Sequence, residues 1–152
     1  MERDILVYKL FLDDMRHPRE CMYYHMPHMP MNKVIYSETD WVIVRSYTDF
    51  VQKITELFEQ KKFPWLSSFD HDLSFEHYGA DPDGEFVEKT GKACAEWLRD
   101  FCVKHDLDIP THYVHSMNYG GGENIHLTMC EFNRYKQIIT NSEPFIEYDP
   151  ES

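Results

Sequence analysis

Positive charge is scarce in this chain: 15 Lys and Arg stand against 27 Asp and Glu, a formal net charge of −12. Such a surface repels a nucleic-acid backbone and disfavours duplex binding. A small anionic ligand stays compatible if a metal ion or local basic groups offset the field. Also missing is any apolar run near the roughly 20 residues that span a bilayer, so no membrane segment is expected. The start, "MERDILVYKL", has no small-residue cleavage site, and no signal peptide is expected. None of the four cysteines, Cys21, Cys94, Cys102 and Cys130, forms a CxxC pair. Free, buried thiols in a reducing, cytoplasmic compartment fit them better than a disulfide framework. There is no internal repeat and no sign of a second domain.

What is present suffices for one domain over residues 1–152, with 42% hydrophobic and 15% aromatic residues, too many for disorder over most of the length. "ILVYKLFL" (5–12) is a near-continuous apolar run, the pattern of a strand buried on both faces. Residues 17–33, "HPRECMYYHMPHMPMNK", have no helical period and read as an ordered excursion. "WVIVR" (41–45) reads as the second strand, after which Ser46 caps a helix, with Asp49 near its third position. Pro64 closes that connection and "WLSSF" (65–69) is the third strand. Thr90 opens a second helix, with Cys94 and Cys102 on its apolar face, and "THYVH" (111–115) is the fourth strand. "NYGGGEN" (118–124) reads as a turn into a third helix with Ile125, Met129, Phe132, Tyr135 and Ile139 inward. "PFIEY" (144–148) reads as a short edge strand before a short acidic tail. Strands alternating with helices predict an open α/β sheet of four to five mostly parallel strands with flanking helices.

In such sheets ligands bind beyond the carboxyl ends of the strands. Asp13 and Asp14 follow the first strand, Asp70, His71 and Asp72 the third, and His115 and Ser116 the fourth. If the strands are parallel, all rim one edge. Crowded carboxylates repel one another unless a cation sits among them, and Mg²⁺ prefers carboxylate and water oxygens. Relief of that repulsion predicts that Asp13→Asn or Asp70→Asn gains stability.

"LFLDD" resembles the acidic pair of receiver domains, Asp70 matches their phosphoacceptor position, and Ser116 their hydroxyl. The lysine that receivers carry after a fifth strand is missing from "PFIEYD", as is a regular helix after the first strand. The fuller set, "LFLDDMRHP", "WVIVRSYTDF", "SFDHDL", "TGKACAEWL" and "VHSMNYGGGENI", resembles the cyclic-phosphate processing receiver-like domains over residues 8 to about 126. The resemblance implies a receiver-like (flavodoxin-like) fold. It also implies a metal triad of Asp13, Asp14 and Asp70, and hydrolysis of a cyclic phosphate, on a nucleotide or an RNA end.

For that chemistry one group must activate water and another protonate the departing oxygen. His71 and His115 have the right ordinary pKa, with Asp72 orienting an imidazole. Ser116 and Asn118 can donate to phosphate oxygens, and the "GGGEN" run through Asn124 lets N–H groups approach an anion. Arg16 and Arg45 are candidate phosphate clamps, and Thr90, Gly91 and Lys92 add a helix start. "HMPHMPM" (His25 to Met31) reads as a packed loop rather than a copper site, overhanging the edge as a lid. Two other readings stand beside the hydrolase. One is a non-catalytic module binding a nucleotide or protein through the same edge. The other is a phosphoacceptor receiver, against which the missing lysine and His71 count. "LDDMR" lacks the D-x-D spacing of haloacid-dehalogenase-type phosphatases.

Overall fold

Leu6–Leu12 form β1, flanked by β2 (Trp41–Val44) on one side and β3 (Phe63–Phe69) on the other, with β4 (Thr111–Val114) outermost. The computed structural model describes residues 2–22, 33–73, 90–115 and 119–147. All three pairings are parallel, in the order β2-β1-β3-β4. The expected α/β sheet is therefore present, and β3 and β4 are neighbours. β3 starts at Phe63, earlier than the sequence predicts. Pro64 lies inside it, at a register shift against β1 where its missing N–H is tolerated.

α2 (Tyr47–Glu59) begins where the sequence places it: Ser46 is extended and its Oγ accepts the Asp49 N–H at 3.1 Å. α3 (Gly91–Lys104) is capped in the same way by Thr90, whose Oγ1 accepts from Ala93 N–H at 3.3 Å. Such caps satisfy N–H groups that the first helical turn leaves without partners.

The alternation of strand side chains gives the sheet two different faces. Leu10, Leu12, Phe69 and Val114 point to one, where Phe50 and Ile54 of α2 and Cys94, Leu98 and Cys102 of α3 close an apolar core. Phe11, Leu66 and Tyr113 point to the other, with Trp41 of β2 beside them. The excursion after β1 covers that face, through a 3-10 turn (Pro18–Cys21) and the short helix α1 (Lys33–Ser37). Tyr36 of α1 is buried, its ring stacked on Trp41 with centroids 5.7 Å apart. Lys9, buried in mid-strand, reaches Asp40 at 2.5 Å and Glu38 at 2.7 Å, tying β1 to the end of the excursion. Residues 23–32, which hold all of "HMPHMPM", lie outside the described residues.

Two expectations fail at the C-terminal end. Residues 144–147 are the last turn of α5 (Phe132–Glu147), not an edge strand, and Tyr148 lies outside the described residues. No glycine or proline interrupts 132–143, so the helix has no stop signal before Pro144. The glycines of "NYGGGEN" are not a turn either: α4 runs from Tyr119 to Cys130 and contains them. Burial of Ile125, Met129 and, beyond the helix, Phe132 supplies the packing that outweighs the poor helix propensity of glycine. The predicted third helix is thus two, α4 and α5, parted at Glu131. Tyr135 and Ile139 are partly buried rather than fully inward.

Candidate functional site

Asp13, Asp70 and His115 each stand one residue past a strand, and each still donates its backbone N–H to the neighbouring strand. Asp13 bonds Val44 O at 3.1 Å, Asp70 bonds Leu12 O at 3.0 Å and His115 bonds Phe69 O at 2.9 Å. The ladder thus fixes three titratable groups along one edge, as parallel strands require. All three are buried.

Asp13 is the hub. Its Oδ1 accepts the N–H groups of Met15 at 2.9 Å and Arg16 at 2.7 Å. Its Oδ2 accepts Arg16 Nε at 2.8 Å and lies 3.1 Å from His115 Nε2. Burial alone would raise the Asp13 carboxyl. The His115 bond and the backbone donors outweigh it and hold the group well below the ordinary carboxylate range. An ionised carboxylate only accepts, so His115 Nε2 carries the proton. Burial pushes the His115 pKa down, against the pull of Asp13. A neutral ring then accepts at Nδ1 from Ser68 Oγ, 2.7 Å away, and Ser68 in turn accepts from Tyr36 Oη at 2.7 Å. The result is a buried relay, Tyr36–Ser68–His115–Asp13, with the imidazole stacked on Phe11 at 4.4 Å.

Asp70 behaves oppositely. Burial first, and then the Asp13 charge, push its carboxyl up to about 7, opposed by Arg16. The Arg16 guanidinium lies between the two acids, with Nη2 3.4 Å from Asp70 Oδ1. Arg45, instead of facing outward, donates Nη1 to the carbonyls of Asp13 at 3.1 Å and Arg16 at 2.5 Å and so pins the loop after β1. Carboxylate oxygens of Asp13, Asp14 and Asp70 all lie within 4.8 Å of one another. A set of hard oxygen donors at that spacing can hold a divalent ion such as Mg²⁺.

The start of α3 is seated directly on this edge. Gly91 N–H donates to His71 O at 2.8 Å, and a methyl at Gly91 would lie 1.9 Å from Asp70 O. Only glycine lets the helix approach so closely.

One family's sequence profile, that of the cyclic-phosphate processing receiver domain, matches residues 8–131. The chain belongs to that family. No curated protein and no solved structure matches it. The span matched to the cyclic-phosphate processing receiver domain holds Asp13, Asp14, Asp70, His71, Asp72 and His115, and it stops at Glu131, where α5 has yet to begin.

Within this domain the remaining candidates are spread unevenly. His71 Nδ1 lies 3.1 Å from Asp72 Oδ1, the imidazole only 16% exposed and the carboxylate open to solvent. Lys92 pairs with Glu96 at 3.9 Å. Asn124 is exposed on α4, where its carbonyl accepts from Thr128 Oγ1, and among the described residues it has no bond to the aspartates. Ser116 and Asn118 lie outside the described residues. Sequence reasoning missed Ser68 and Tyr36. The signal for Ser68 was available: a Ser–Ser pair inside an apolar strand must send one hydroxyl to each face.

Proposed function

We propose that this domain hydrolyses a cyclic phosphoester, of a nucleotide or an RNA end, with a divalent ion at Asp14 and Asp70. The observation that carries the reading is the meeting of three carboxylates and Arg16 at one strand edge, next to the His71–Asp72 pair. The donor chemistry fits a hard cation, and a cation there would favour ionisation of Asp70, whose pKa is raised first by burial and then by the Asp13 charge. With four acceptor bonds already made, Asp13 anchors the edge, leaving Asp14 and Asp70 to hold the ion. When bound, the ion would neutralise the phosphate and orient water.

His71, oriented by Asp72, is the group placed to move a proton. It takes one from water as the new P–O bond forms, and the ring oxygen that departs receives a proton from the same imidazole or from solvent. His115 was expected to be a second acid–base group. Buried and bonded through both nitrogens, it suits a different task, holding Asp13. All four cysteines are free, and among the described residues no helix is long and apolar enough to cross a membrane.

A second reading, a binding module without turnover, draws on Arg16 itself, since its guanidinium already provides a cation between Asp13 and Asp70. A turnover screen of cyclic mononucleotides, cyclic dinucleotides and 2′,3′-cyclic RNA ends, with and without Mg²⁺, separates the two. On a cleaved substrate, His71→Ala should slow single turnover by roughly 10²–10⁴-fold while affinity holds. Binding with no cleavage of any of them would favour the module.

A further inference from the structure

We propose that His112, His126 and Cys130 form a second metal site, for a borderline-soft transition ion such as Zn²⁺, that clips β4 to α4. The site is independent of the acidic edge. His112 lies three residues before His115, about 10 Å back along the strand. It shares the sheet face of Val114, which packs with Ile125 and Met129 of α4. His126 and Cys130 are one helical turn apart, so both side chains project from one side of α4.

The donor distances already approach those of a coordinated ion. His112 Nε2 and His126 Nδ1 are 3.0 Å apart, and Cys130 Sγ is 3.7 Å from the same Nδ1. A donor atom from each of the three residues lies within 4.8 Å of the others. Tetrahedral zinc, with bonds of about 2.0–2.1 Å to nitrogen and 2.3 Å to sulfur, sets its donors roughly 3.3 Å (N to N) and 3.6 Å (N to S) apart. Both measured separations that involve His126 are thus within tenths of an ångström of those in a coordinated site. The chemical type also separates the two sites. Imidazole and thiolate select zinc-like ions, whereas the carboxylates suit magnesium.

Protons balance simply. On binding, the Cys130 thiol gives its proton to solvent. The proton shared between the two rings moves to the outer nitrogen of its own imidazole, freeing both inner nitrogens as donors. Cys130 is exposed, so an ion can enter from solvent and keep a fourth position for water. What the clip would secure is an edge: among the described residues β4 has only β3 as a strand neighbour.

The test uses the full chain stripped with EDTA. Co²⁺ titration should give one equivalent of a species with a thiolate-to-cobalt charge-transfer band. Zn²⁺ at a hundredfold excess over its Kd should raise Tm by about 5 °C or more. Both effects should vanish in Cys130→Ser, whose exposed position leaves packing intact, and in His126→Gln, and persist in Asp70→Asn. Three results would overturn the proposal: no thiolate band in the wild type, a band surviving in Cys130→Ser, or a band lost in Asp70→Asn.

Discussion

Ser67 and Ser68 are consecutive on β3, equally buried, and point to opposite faces of the sheet. Ser68 sits in the relay between Tyr36 and His115, 2.7 Å from each. Ser67 Oγ has no hydrogen-bond partner among the described residues. The difference belongs to the faces. One is an apolar core closed by α2, α3 and α4, where a hydroxyl has nothing to bond. The other, under the excursion, mixes aromatic rings with a continuous polar chain that ends at Asp13. A strand changes face at every residue, so a chain can build an insulating side and a wired side from one element, without any domain boundary.

Removing the hub should break the wired face most severely. Asp13→Ala leaves Arg16, His115 and two backbone N–H groups without their acceptor, and should cost about 3–5 kcal/mol in urea unfolding. For the milder Asp13→Asn, the four hydrogen bonds to this carboxylate predict a loss in place of the gain expected from charge repulsion. On the insulating face, Leu98→Ala should cost a comparable 2–5 kcal/mol through cavity formation. Its divalent-ion affinity by calorimetry should stay unchanged, while that of Asp13→Ala falls.

Asp70 sharpens the comparison through pH. Its folded pKa is raised, so its stabilising contribution is complete below about 4 and is lost as pH rises through about 7. For this buried carboxyl the loss amounts to ~4 kcal/mol in metal-free protein. His112, pushed down to about 4 by burial and then by His126, acts in the opposite sense, as does His115. Stability from keeping these rings neutral is lost as pH falls below about 6.5. Wild type should therefore show a shallow pH profile in EDTA. Asp70→Asn should be more stable at pH 7.5 by a few kcal/mol and should decline steadily on acidification. A variant profile parallel to wild type would show that Asp70 titrates normally.

The serines give the smallest and most direct comparison. Ser68→Ala strands one polar group on each side and should cost about 1–3 kcal/mol. Ser67→Ala removes an unsatisfied hydroxyl and should be neutral or stabilising by up to about 1 kcal/mol. A loss at Ser68 with none at Ser67 by thermal melts would uphold the two-face description, and equal losses would end it.

Local signals were the ones that read through. Ser46 caps its helix as the sequence indicates, and the second helix starts at Thr90 as expected, because a helix start is decided within about three residues. The convergence of Asp13, Asp70 and His115 was legible because parallel strands share one carboxyl edge. Pairings across the chain were not legible. Lys9 with Asp40 spans 31 positions, Tyr36 with Ser68 spans 32, and Asp13 with His115 spans 102. Nothing local says which partner a buried polar group will find. The helical course of residues 144–147 was hidden for a related reason, since a short apolar run suits a strand or a helix equally until its neighbours are known.

The stack of Trp41 on Tyr36 turns this layout into something that can be watched with light. Of the three tryptophans, Trp41 sits against the wired face, Trp97 packs on Phe50 and Phe101 in the insulating core, and Trp65 is 40% exposed. Each therefore emits from a different surrounding. A chain keeping only Trp41 would fluoresce beside the relay, and its rigid pairing with a tyrosine ring would give near-ultraviolet dichroism that dies when that face loosens. Keeping only Trp97 would follow the core alone, and Trp65 would set the solvent baseline, so the two sides of one sheet can be seen to melt together or apart.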